Sequence, residues 1–363
     1  MEKAELEFTG TFTQCMHLIG ACIESNVSPL VWGIPGVGKS QAFKQVCDRL
    51  GRGIVEIRVA QIEPVDLRGI PQIREYTNGL STTQFAPPDE LPLVGREDAF
   101  DKKGVLLFEE INLGESSNDV RSASFQFLDQ RRLGSAYLLP DWVPAAIGNP
   151  TEYNIMAVEL AQPLKNRFAH IFMPTPTVDE WTEWAIKHDV DPRITAFHKS
   201  SIAAGLLCQF KPGEYAYPTP RSWEMASKLI KNSQARNDDT KSNIFRMLSA
   251  TVGTPAAVQF STFIDLVHKC PTVAEILRSP KTTALPDSQP GLWAVVATLI
   301  AETKKEDFDP VLTYLRRVDE EAQAPELSIY AIQHLFEKWQ GLPRDARNHG
   351  EWLGRFKEWV GVK

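Results

Sequence analysis

Cysteine is scarce, at five of 363 residues, and no C-x-x-C spacing occurs, so nothing suggests a disulfide framework. Cys15, Cys22, Cys47, Cys208 and Cys270 are scattered and odd in number. They read as small buried residues in a reducing compartment. No apolar run approaches the roughly 20 residues needed to span a bilayer, and the acidic start Met1-Glu2-Lys3-Ala4-Glu5-Leu6-Glu7 lacks an apolar signal core. The expectation is a cytoplasmic protein with no membrane partner. Positive charge is also short: 39 Lys and Arg stand against 46 Asp and Glu, for a net charge of −7. That balance weighs against a chain that wraps bare nucleic acid. Internal repeats and low-complexity tracts are missing as well.

What remains is an ordinary globular composition, 43% hydrophobic and 23% charged, on a chain long enough for two or three domains. Its most informative stretch is Gly33-Ile34-Pro35-Gly36-Val37-Gly38-Lys39-Ser40, which fits G-x-x-x-x-G-K-[ST] at every fixed position. The apolar run Pro29-Leu30-Val31-Trp32 precedes it and the helix-like Gln41 to Leu50 follows. Strand, glycine loop and helix in that order form a phosphate cradle. Glycines let successive N–H groups turn toward phosphate oxygens, and the helix N-terminus adds partial positive charge there. Lys39 is then placed for the β- and γ-phosphates, and the Ser40 hydroxyl for magnesium.

Residues 11–25 predict a helix and 54–59 a strand, completing a βαβ crossover in a largely parallel sheet. Turn residues dominate 61–71, and Thr77-Asn78-Gly79 between short runs suggests a hairpin or loop insertion over 72–84. Gly104-Val105-Leu106-Leu107-Phe108-Glu109-Glu110-Ile111-Asn112 describes a strand buried on both faces that ends in two carboxylates. Beside a phosphate loop, Glu109 suits magnesium and Glu110 suits polarising an attacking water. Residues 115–130 are helical in pattern, and 131–140 predict a short hairpin or extended turn whose paired arginines suit a nucleotide, a neighbour, a substrate or plain solvent. The strand Trp142 to Pro150 ends in Asn149, an amide able to orient a water or simply to form a turn. A further strand, 169–173, precedes Pro174 and Pro176, where a domain boundary is expected. Residues 181–207 read as one helical stretch, followed by a helix to about 232 with Ser222 or Thr219 as its N-cap and by further helices over 242–252, 256–268, 292–302, 309–321, 325–339 and 351–360. Prolines break the segment between Cys270 and Pro290.

With these residues in place the chain resembles the AAA+ ATPases, and among them the MoxR-like group. The loop 33–40 resembles Walker A, Leu106 to Asn112 resembles Walker B, and Ala146 to Pro150 resembles sensor 1. Lys165-Asn166-Arg167-Phe168 is similar to the arginine-finger segment, and Thr219-Pro220-Arg221 to the sensor 2 entry. The resemblance covers about 31–223, and one position departs from it: Glu109 stands where the family usually has Asp. The resemblance implies an αβα core with a mostly parallel five-stranded sheet over 1–175, a helical lid over 176–272 and a helical C-terminal extension over 273–363. It implies ATP and Mg2+ as cofactors, held by Gly33, Pro35, Gly36, Val37, Gly38, Lys39, Ser40 and Glu109. Glu110, Asn149, Arg167 and Arg221 would be catalytic, Arg167 in the neighbouring subunit's site. It further implies a ring, most simply a hexamer, and remodelling of a protein client, such as one with a von Willebrand factor type A domain.

Two rivals stand beside that reading. A nucleic-acid motor predicts a basic stripe, whereas Glu63 and Asp66 accompany Arg68 in the 63–71 insertion. A nucleotide-gated scaffold with little turnover draws on Glu109, whose extra methylene shifts the geometry at the metal position.

Overall fold

The computed structural model describes residues 9–341, apart from 78, 114–117, 154–155, 161, 212 and 239, together with Trp352 and Gly354. It divides into two compact units, 1–176 and 177–363.

The first unit is built on five parallel strands: β1 (Pro29–Trp32), β2 (Gly53–Arg58) and, after an insertion, three more. Its first four helices are α1 (Phe12–Glu24), α2 (Lys39–Leu50), α3 (Pro64–Arg68) and α4 (Asn118–Gln130). Strands β3 (Ile70–Glu75) and β4 (Ser81–Ala86) pair as an antiparallel hairpin apart from the main sheet. Then come β5 (Gly104–Glu109), the two-residue pair β6 (Arg132–Leu133) and β7 (Ala136–Tyr137), β8 (Trp142–Gly148), the short helix α5 (Gln162–Lys165) and β9 (Ala169–Phe172). The main sheet has the order β2-β5-β8-β1-β9, and every pairing in it is parallel.

Alternation along the central strands explains both faces. Leu30 and Trp32 of β1, Leu106 and Phe108 of β5, and Ala146 of β8 pack with Val120, Phe127 and Leu128 of α4. Val31, Val105, Leu107, Val143, Ala145 and Ile147 pack on the other face with Cys15 and Ile19 of α1 and Phe43 and Val46 of α2. Strands covered on both sides must be apolar throughout, which is why β5 and β8 read as unbroken hydrophobic runs. The register sets Trp32 beside Gly148, Ala146 beside Phe108, and Arg58 beside Glu109. The loops that leave β1, β5 and β8 therefore emerge at one edge, the carboxyl ends where open α/β sheets hold ligands.

The second unit is helical: α6 (Val178–Lys187), α7 (Pro192–Lys199), α8 (Pro220–Ala235), α9 (Lys241–Val252), α10 (Thr254–Val267), α11 (Val273–Arg278), α12 (Gln289–Glu302), α13 (Phe308–Glu320) and α14 (Pro325–Trp339). One hydrophobic cluster runs from Trp181 to Trp352 and draws on helices either side of residue 272. The single helical stretch expected over 181–207 is in fact α6, α7 and a 3₁₀ turn at Ser201–Ala203. The break has a local cause: Asp189 is left-handed at φ 54°, and the Asp191 side chain caps α7 with Pro192 in its first turn. The proline-broken segment after Cys270 also contains α11, started by a capping box between Thr272 and Glu275. Of the two expected caps it is Thr219 that starts α8, which begins at Pro220 and runs on to Ala235. The stretch 351–360 lies outside the described residues except for Trp352 and Gly354, as do Asn78 of the expected turn and 115–117 of the expected helix.

Candidate functional site

The loop between β1 and α2 turns through two left-handed glycines, Gly36 at φ 78° and Gly38 at φ 107°. Gly33 begins it where a Cβ would stand 2.9 Å from the Met173 carbonyl oxygen. A larger residue would push β1 away from the chain leaving β9. Gly38 is the cap of α2 and supplies no side-chain acceptor. The first-turn N–H groups of α2 therefore have no cap from their own helix, the arrangement that favours an anion.

Lys39 is buried, and its ammonium donates to Gly33 O at 2.7 Å, Ile34 O at 3.0 Å and Asn149 Oδ1 at 2.8 Å. A buried ammonium is costly unless such oxygens surround it. The contact with Asn149 links the loop to the end of β8. Ser40 Oγ hydrogen-bonds to Glu109 Oε1, linking the start of α2 to the end of β5. Glu109 Oε2 in turn lies 3.3 Å from Arg58 Nε on the neighbouring strand. Glu110 follows at φ 58°, a left-handed conformation unusual for a residue with a side chain. Backbone outliers of this kind concentrate at functional sites.

The sequence reading passed over Asn112 as a site residue. It is buried; its Nδ2 donates to Asn149 O at 2.9 Å and to Val158 O at 3.2 Å, and its Oδ1 accepts from Asn149 N at 3.1 Å. Its backbone carbonyl accepts from Val158 N at 2.8 Å. One amide thus fixes the backbone of Asn149 and the chain beyond it. The signal available was a polar residue just past the two carboxylates that end an apolar run. Arg58 was missed too, because its partner is set by strand pairing.

The expected residues therefore separate. Lys39, Ser40, Glu109 and Asn149 are joined through direct hydrogen bonds, with Glu110 next in the chain. Arg167 is half exposed and pairs with Asp129 of α4, within its own chain. Arg221 belongs to the second unit, exposed in the first turn of α8. Of the paired arginines, Arg131 donates to Asn26 O at 2.6 Å, and Arg132 lies over the Tyr137 ring at 5.9 Å, so both have partners away from the loop.

A cavity of about 440 Å³ borders Asn112 and Asn149 and is walled by Trp32, His170 and Phe172. Trp32 stacks on both rings and donates Nε1–H to His170 Nδ1 at 2.9 Å. His170 Nε2 lies 2.5 Å from Lys165 O, so the imidazole proton sits on Nε2.

The donor chemistry suits magnesium with a nucleotide. A serine hydroxyl and a carboxylate are hard oxygen donors, and magnesium takes only one or two from protein, with phosphate and water completing its shell. No group of three or more His, Cys, Asp or Glu able to hold a metal occurs among the described residues. Nor is any described helix long and apolar enough to cross a membrane.

No family model matches the chain, and no curated protein matches it. Among solved structures it is similar to a mutant of RuvB from Thermotoga maritima, at 13% identity over 82% of this chain and 87% of that one, with a TM-score of 0.40. It is also similar to NtrX from Brucella abortus, at 12% identity over 98% of this chain and 67% of that one, with a TM-score of 0.39. At that level the likeness is loose, and the functional reading rests on the residues of this chain.

Proposed function

We propose that the chain is an ATPase of the AAA+ class that binds Mg-ATP in the loop 33–40 and hydrolyses it. The observation that carries this reading is the network in which Lys39 meets Asn149 and Ser40 meets Glu109. It joins a phosphate-loop sequence to the ends of two other strands. In this reading the loop N–H groups and Lys39 hold the phosphates, while Ser40 and Glu109 hold the cation. Glu110 accepts the proton of an attacking water, and Asn149 orients that water. Arg167 and Arg221 supply positive charge to the transferred phosphoryl group, Arg167 across a subunit interface in a ring, most simply a hexamer. Opening and closing of the helical part would then act on a protein client. The MoxR-like group and a client with a von Willebrand factor type A domain are the narrower form of the proposal, resting on the sequence resemblance.

The test is phosphate release by the wild type and by Glu110→Gln across protein concentrations, with particle size followed alongside. Activity that rises with assembly, and a Glu110→Gln form that assembles without releasing phosphate, supports the ATPase. The scaffold reading is favoured by one observation, Glu109 at the metal position. It predicts assembly on ATP with no phosphate released by either protein.

A further inference from the structure

We propose that Arg58 is a positioning residue that acts through Glu109 to set the affinity for the divalent cation accompanying the nucleotide. The inference rests on the nucleotide-site reading above and concerns a residue outside the phosphate-loop and carboxylate motifs.

Arg58 and Glu109 are direct register partners on adjacent parallel strands, so both side chains leave the same face of the sheet. Two residues earlier on β2, Glu56 pairs with Lys44 of α2 at 2.9 Å. The period of two in a strand then carries Arg58 along the same α2-covered face. The period of four in the helix carries Ser40 one turn back from Lys44. Strand and helix thus converge on Glu109 from two sides.

The consequence lies in how the two oxygens of Glu109 are divided. Oε1 accepts from the Ser40 hydroxyl, and Oε2 faces Arg58 Nε at 3.3 Å. Donating its proton to Glu109 leaves the oxygen lone pairs of Ser40 for a hard cation. Glutamate has one more rotatable bond than aspartate, and holding it in one orientation costs conformational entropy. The Arg58 Nε–H constrains that freedom from the outer oxygen. Partners that orient a metal-binding carboxylate in this way change metal affinity by roughly 10- to 100-fold when removed. Glu109 is 13% exposed at its side chain and Arg58 61%, so Arg58 can be truncated without opening the core.

The experiment titrates Mg2+ at a fixed concentration of a fluorescent ATP analogue, with nucleotide affinity in excess chelator and the unfolding midpoint measured on the same proteins. Arg58→Ala is expected to need about 10-fold more Mg2+ for half-maximal binding. Its chelator-state affinity and unfolding midpoint should stay at the wild-type values. Arg58→Lys, which keeps the charge and loses the Nε–H donor, should fall between the two. In a Glu109→Asp background, where the shorter carboxylate cannot span both partners, Arg58→Ala should add little further. A normal wild-type curve with an Arg58→Ala curve unmoved, or moved to lower Mg2+, would overturn the role of Arg58 alone. Failure of the wild type to bind the analogue at any Mg2+ concentration would overturn the site reading and this role with it.

Discussion

Asn112 holds Asn149 by both of its backbone polar groups, accepting from the Asn149 N–H at 3.1 Å and donating to its carbonyl at 2.9 Å. The side chain so fixed meets the Lys39 ammonium at 2.8 Å. A residue outside the phosphate loop therefore sets where the loop's amide partner stands.

Replacing Asn112 with Ala removes these bonds and leaves the Val158 carbonyl short of a donor as well. Each buried polar group so stranded costs about 1–3 kcal/mol, so a loss of about 2 kcal/mol or more is expected in urea unfolding. Phosphate release should fall at least 10-fold while nucleotide affinity changes much less. Equal loss of both would mean that Asn112 only supports the fold.

Asp129→Asn should release Arg167 from its intrachain partner. The pair is largely solvent-accessible, so the stability cost is at most about 1 kcal/mol. In the proposed ring the freed guanidinium changes turnover in the assembled protein without altering nucleotide affinity of the dilute one. Steady-state rates at several protein concentrations check this, and identical concentration dependence in wild type and variant counts against the role given to Arg167.

Acid should destabilise the helical unit through two buried imidazoles. Neither ring nitrogen of His198 has a partner among the described residues, and its ring is enclosed by Trp181, Phe197 and Trp223. Burial pulls His198 down to about 3; burial, with Lys231 adding in the same direction against Asp191, pulls His334 down to about 3. Both stay neutral in the folded chain, whereas the unfolded chain takes up protons below about pH 6.5. Stability is therefore full above 6.5 and is lost as pH falls toward 3, at roughly 1 kcal/mol per pH unit for each histidine. Urea midpoints at pH 7.5 and 5 should differ accordingly, and His198→Phe should narrow the gap. An unchanged gap would place the acid sensitivity elsewhere.

Gly69 joins α3 to the β3–β4 hairpin at φ 81°, and a Cβ there would stand 1.8 Å from Ala86 O. Gly79 in the same hairpin has φ 82° but open space around it. Gly79→Ala should cost only the left-handed strain, about 1–2 kcal/mol, whereas Gly69→Ala must also displace backbone. Limited proteolysis should cut the hairpin faster in Gly69→Ala than in Gly79→Ala, and equal rates would show that the base of the hairpin tolerates the shift.

The phosphate loop, the strand ending in Glu109 and Glu110, and the strand ending in Asn149 were legible because each is a local pattern. A continuous apolar run marks a strand buried on both faces, and a glycine loop marks its turn. A largely parallel sheet followed from strands alternating with helices, while its count of five strands was implied by the family resemblance. What could not be read was which strand lies beside which: the pairing of Arg58 with Glu109 and of Arg167 with Asp129 depends on contacts 51 and 38 residues apart. The break at Asp191 and Pro192 was present in the sequence as a cap and a first-turn proline, but apolar residues on both sides hid it. Helix α11 was hidden in the same way, since the prolines around it outweighed the Thr272 and Glu275 capping pair.

The central claim is that the loop 33–40 binds a nucleoside triphosphate with magnesium, and calorimetric titration of ATP into the wild type and Lys39→Ala, with Mg2+ and with chelator, tests it most directly. Saturable Mg2+-dependent binding is expected of the wild type, with at least a 10-fold weaker Kd for Lys39→Ala, which loses the buried ammonium at the loop's mouth. Equal affinities for the two proteins, or no heat of binding from a folded wild type, would contradict it.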